Sequence, residues 1–116
     1  MKKRDYYDYL KDILDSCFSV QEFVKGISFD KFVDDKKTKF ATIRAIEVIG
    51  EAVKSIPASF RASYPNIPWK QIAGMRDKLI HEYFGVDAQV LWKTAKEDIP
   101  AIRSEFEKII KEMKNM

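Results

Sequence analysis

Apolar positions in this chain recur at steps of three and four, and period-two alternation is nowhere sustained. That spacing lines one face of an α-helix and predicts an all-α protein. Tyr6, Tyr9, Leu10, Ile13, Leu14, Cys17, Val20, Phe23 and Val24 form one stripe. It predicts an amphipathic helix from about Asp5 to Val24, stopped by Lys25-Gly26. Ser28 is placed to cap a short helix carrying Phe29, Phe32 and Val33, with Asp30 and Lys31 exposed. The next helix, about Asp35 to Ile56, is the most hydrophobic. Phe40, Ile43, Ile46, Ile49, Val53 and Ile56 are expected to line one face, widened by Ala41, Ala45, Val48 and Ala52.

The polar residues of that helix, Arg44, Glu47, Glu51 and Lys54, make a narrow stripe at spacings of three, four and three. Two readings are open: a solvent face with i, i+3 and i, i+4 ion pairs, or a polar seam at a subunit interface or cleft. Pro57 ends the helix, and the Pro-rich stretch to Pro68 reads as an irregular connection with one short helical turn. Pro68-Trp69 then opens a helix in the position proline favours. It runs through Ile72, Met75, Leu79 and Ile80, with Gly85 placed to terminate it. Asp87 looks like the cap of a further helix with Val90, Leu91 and Trp92. Pro100 either kinks that helix or starts the last one, which carries Ile102, Phe106, Ile109, Ile110 and Met113. The expectation is a single domain over residues 1–116, an antiparallel helical bundle of about five to six helices.

Composition narrows the function classes. The chain has 116 residues, 46% apolar and 34% charged, which is a soluble globular balance rather than a disordered one. A net charge of +3 permits a polyanionic partner such as RNA without demanding one. No apolar stretch approaches the roughly 20 residues needed to span a bilayer, and no signal peptide precedes the first charged helix. Cys17 is the lone cysteine and lies in an apolar stripe, so a buried inert thiol in a reducing cytoplasm is expected. One His and one Cys leave only carboxylates as further metal ligands, and none shows a ligand-loop spacing. No metal or other cofactor is expected.

The candidate chemistry lies in Gly74-Met75-Arg76-Asp77-Lys78-Leu79-Ile80-His81-Glu82-Tyr83-Phe84-Gly85. His81 is the only histidine, and histidine alone has an unperturbed pKa close to physiological pH. Such a group can remove a proton from a ribose 2′-hydroxyl, generating a nucleophile for the adjacent phosphate. Arg76 presents a planar fork of donors to phosphate oxygens. Asp77, four residues before His81, is placed to hold the imidazole tautomer. The helix geometry is only partly helpful, because Arg76 and His81 are about 140° apart around an ideal axis. They converge if the helix ends or bends near His81, if Arg76 reaches round, or if a second copy of the site faces this one across a dimer. Metal-free RNA cleavage wants a base and an acid, and a homodimer would supply two histidines. The same residues also admit a purely structural reading, with His81 favoured at a helix C-terminus, Arg76 in surface pairs and Tyr83 in the core.

The segments Arg44-Ala45-Ile46-Glu47-Val48-Ile49-Gly50-Glu51-Ala52 and Tyr64 through Asp87 resemble the HepT-like group of HEPN-domain proteins, over essentially the whole chain in helix order. The resemblance implies an HEPN-like bundle and the toxin of a two-component system: a metal-independent, homodimeric endoribonuclease with a site shared between subunits, plausibly cutting tRNA. Its implied partner is a small MntA-like nucleotidyltransferase that neutralises it by attaching AMP to the motif tyrosine. By that resemblance Arg76 and His81 match the catalytic pair, Asp77 the polar residue after the arginine, and Tyr83 the modified tyrosine. A non-catalytic HEPN module that binds a nucleotidyltransferase or nucleic acid is the alternative.

Overall fold

The structure is a computed structural model that describes residues 5–81 and 87–115, the side chains of 78–81 excepted. Helix α1 spans Tyr6–Val24, α2 Phe29–Asp34, α3 Lys36–Ser55, α4 Ala58–Ala62, α5 Trp69–His81, α6 Ala88–Lys93 and α7 Ile99–Lys114. A π-helical turn, Thr94–Asp98, joins the last two. There is no strand among the described residues. The all-α bundle expected from the periodicity is what forms.

Local chemistry sets the helix ends. Asp5 and Asp8 make a reciprocal capping box at the start of α1, each carboxylate accepting the other's backbone N–H. Gly26 closes the far end with φ at 72°, a conformation that costs a side chain but not a glycine. Ser28, Asp35 and Asp87 cap α2, α3 and α6 through their side-chain oxygens. Hydrogen bonds from Thr38 to the Asp35 carboxylate hold its pKa below the usual value. The alternatives at Pro100 resolve into one continuous helical run. Proline has no N–H to give to the carbonyl four residues back, and its ring crowds that carbonyl. The chain relieves this one residue earlier, where Ile99 N–H reaches Thr94 in the wider π pattern.

The core is built from α1, α3 and α7, with α5 lying on α3 and α2 on α3 and α6. Leu10, Ile13, Cys17 and Val20 of α1, Ile46, Ile49 and Val53 of α3, and Ile99 and Phe106 of α7 are fully buried. Burial pushes the Cys17 thiol up to about 12, with Arg103 opposing and the Glu107 carboxylate adding to the rise. Thr42, the buried polar residue of α3, donates its hydroxyl to the Thr38 carbonyl at 2.8 Å.

Three residues of the expected apolar stripes are exposed: Tyr6 and Phe23 near the two ends of α1, at 40% and 38%, and Phe40 of α3. Phe40 is 47% exposed, with the Lys36 ammonium over its ring. At about 100° per residue, Phe40 stands roughly 180° from Ile49, the centre of the buried face. Steps of three drift round a helix by about 60° each, so a row of threes leaves its own face within three steps. Ala41 and Val48 are likewise only half-buried, whereas Ala45 and Ala52 are buried.

Candidate active site

Helix α5 carries the motif residues from Gly74 to His81, and its start is anchored firmly. The Trp69 indole N–H donates to the Arg61 and Tyr64 carbonyls at 3.1 and 3.0 Å, and its ring meets Phe106 edge-on. Pro68 accepts the first helical bond from Ile72 N–H and so caps α5 from one position earlier than expected. Trp69 and Ile72 are buried and define the face that α5 turns to the core. The next residue in that three-and-four series is Arg76. An arginine therefore occupies a position where hydrocarbon would be the ordinary choice.

The partner helix makes room for it. Gly50 of α3 lies directly opposite, and a Cβ added there would sit 2.6 Å from Arg76 Cβ. Glycine is required at this close approach, because no larger residue fits without moving one helix off the other. One residue further along, Glu51 Oε1 accepts from Arg76 Nε at 3.3 Å. Arg76 Nη1 reaches Asp77 Oδ1 at 3.5 Å, and Lys54 Nζ donates to the two Asp77 oxygens at 3.0 and 3.3 Å. Glu51, Arg76, Asp77 and Lys54 thus alternate in sign along the α3–α5 seam. Arg76 keeps 29% of its side chain exposed and the other three between 44% and 50%. Solvated pairs of this kind are worth about 0–1 kcal/mol each, so their effect is to orient the charges rather than to stabilise the fold.

The polar stripe on α3 therefore divides. Arg44 and Glu47 make an i, i+3 surface pair at 3.8 Å, whereas Glu51 and Lys54 form a polar seam with α5. On the other side of Glu51 lies an open groove of about 260 Å³, to which Tyr9, Asp12, Arg44 and Ser55 contribute. Glu51 borders both.

Of the motif residues, Arg76 and Asp77 stand together at the seam. His81 is the last residue of α5 and only its backbone is described; Tyr83 and Gly85 lie outside the described residues. Helix α5 is continuous from Trp69 to His81. On an ideal helix, positions 76 and 81 are about 140° apart around the axis. Arg76 does not reach round the helix; its guanidinium is drawn to α3. Among the described residues no cluster of His, Cys, Asp or Glu could hold a metal ion, and no helix is long and apolar enough to cross a membrane.

The sequence pointed to Glu51 without giving it a role and missed Gly50 altogether. A usable signal was present. An arginine at a core-facing position needs a small residue and an acid opposite, and Gly50-Glu51 on the most hydrophobic helix is such a pair.

This all-α bundle, with an arginine at the contact of α3 and α5, has the architecture of an HEPN-like domain. The match to known proteins is specific. The family model described as "Ribonuclease HepT-like" matches residues 13–109, and the chain belongs to that family. It is 56% identical over 109 residues to a protein of Thermococcus cleftensis named "Probable ribonuclease HepT", covering 94% of this chain and 99% of that one. A Methanocaldococcus jannaschii protein named "Putative RNase MJ1216" is 52% identical over 113 residues, covering 97% and 93%. A "Putative RNase" of Caldanaerobacter subterraneus is 48% identical over 106 residues, covering 91% and 95%. No solved structure matches the chain.

Proposed function

We propose that this chain is a metal-independent endoribonuclease whose catalytic groups are Arg76 and His81, working in a cleft between two copies. The observation that carries the reading is Arg76 itself, held by Glu51 and Asp77 at a position normally given to hydrocarbon. Membership of the family and the names of the relatives support the ribonuclease class.

In this mechanism His81 takes the proton of a ribose 2′-hydroxyl, and the freed oxygen attacks the adjacent phosphorus. Arg76 donates to the non-bridging oxygens, where negative charge grows in the transition state. The P–O5′ bond breaks and the 5′-oxygen leaves with a proton from the histidine of the second copy. The products are a 2′,3′-cyclic phosphate and a 5′-hydroxyl. The roughly 140° between positions 76 and 81 favours two copies. Across a dimer, the arginine of one chain and the histidine of the other can face one phosphate. Asp77, one helical turn before His81, orients the imidazole in the same scheme.

The biological setting follows the same reading. The protein is a cytoplasmic toxin acting on RNA, with tRNA as the expected substrate. It is neutralised when an MntA-like nucleotidyltransferase attaches AMP to Tyr83, two residues from the histidine. Phosphate and a nucleobase there would repel RNA and occupy the cleft.

Cleavage of RNA by purified protein in EDTA, wild type beside His81→Ala, tests the chemistry. Cleavage by wild type alone, leaving 2′,3′-cyclic phosphate ends, is expected. Cleavage that survives the substitution, or that needs added metal, contradicts it. Tyr83→Phe protein incubated with the purified nucleotidyltransferase and ATP is expected to take up no AMP; modification equal to wild type would refute the role of Tyr83.

A further inference from the structure

We propose that Glu51 is a positioning residue for Arg76, and that Gly50 is the close-contact point that brings the two together. The inference rests on the reading of Arg76 as the group that binds the scissile phosphate.

Three features of the seam converge on it. Glu51 engages Arg76 at Nε and Asp77 engages it at Nη1. Contacts at two of its three nitrogens set the plane of the guanidinium as well as its place, and neither uses Nη2. A long, flexible side chain is thereby held in one orientation before any substrate arrives, which is what binding a developing charge requires. Second, the contact depends on Gly50. An Ala there would put its Cβ 2.6 Å from that of Arg76 and drive the helices apart, lengthening the 3.3 Å reach of Glu51. Third, the arrangement is a poor way to stabilise a bundle. The close approach seats a charged side chain where an apolar pair would pack, and a half-exposed ion pair returns little stability. A polar contact at a helix–helix crossing marks a place shaped by function.

The geometry also separates this role from proton transfer. Glu51 touches the arginine, so its effect passes through Arg76. Removing it should slow the chemical step and leave the titration of the histidines alone.

The test is RNA cleavage in EDTA by wild type, Glu51→Ala, Glu51→Gln and Arg76→Ala, with Glu51→Ala also built into Arg76→Lys. Glu51→Ala should lower kcat on the order of 10- to 100-fold, the scale of a misplaced catalytic group. KM, the shape of the pH–rate profile and the melting temperature should stay near wild type, and Glu51→Gln, which keeps an acceptor, should restore part of the rate. The Arg76→Lys protein has no Nε to hold, so removing Glu51 from it should cost little more. Wild-type kcat in Glu51→Ala, loss of one limb of its pH profile, or an equal penalty in the Arg76→Lys background overturns the inference. Wild-type cleavage by Arg76→Ala overturns instead the reading on which it rests.

Discussion

Two of the seams in this bundle are built on opposite principles. Where α1 meets α7 the contact is hydrocarbon: Leu10, Ile13, Cys17 and Val20 on one side, Ile102, Phe106 and Ile109 on the other, all buried. Polar groups stay at its rim, where Arg103 lies over the Phe18 ring, donates to Gln21 at 2.9 Å and pairs with Glu107. Where α3 meets α5 a glycine faces an arginine, and four alternating charges run along the edge. The first seam gains stability from burial. The second gives some up to hold a cation still. Stability and function have been assigned to different helix pairs.

Substitutions can break that division. Phe106→Ala, in the apolar seam, should cost about 3–5 kcal/mol in denaturant unfolding, while cleavage per folded molecule stays far above that of an Arg76 variant. An activity loss out of proportion to the unfolded fraction would show that the seams are not independent. Gly50→Ala, in the charged seam, should cost about 1–3 kcal/mol by overpacking and lower cleavage even where the protein is fully folded. If it instead stabilises the protein with activity intact, the contact to Arg76 is not needed. The smallest effect concerns Cys17. With its pKa raised from 9.0 to about 12, the thiol should resist alkylation at pH 8 in the native state. Its folded pKa lies above the unfolded one, so its contribution to stability is complete below pH 9 and is lost as the pH rises towards 12. Wild type should therefore weaken more steeply than Cys17→Val over that window.

How much of this was legible follows from the range of each interaction. Helices and caps are local, so Asp5, Ser28 and Asp87 announce helix starts from their own neighbourhoods. Helix faces are legible where steps of three and four alternate, as from Leu10 to Cys17 in α1; the runs of threes to Phe23 and from Phe40 mislead because they wind off the buried face. Pro100 signals a perturbed helix, but only the backbone shows a π turn rather than a break. The Arg76 cluster is half legible. The motif stands out in the chain, whereas the pairing of Glu51 with an arginine 25 residues away depends on the register of α3 against α5.

The most direct test replaces Arg76 by Met and measures both melting temperature and RNA cleavage in EDTA on the same protein. Methionine puts hydrocarbon back at the core-facing position, leaves Lys54 to Asp77, and leaves Glu51 to water. The account predicts a melting temperature equal to wild type or higher, with cleavage reduced on the order of 100- to 1,000-fold, as for loss of a group that stabilises transition-state charge. A variant that still cleaves at the wild-type rate, or one that unfolds as readily as Phe106→Ala, would contradict it.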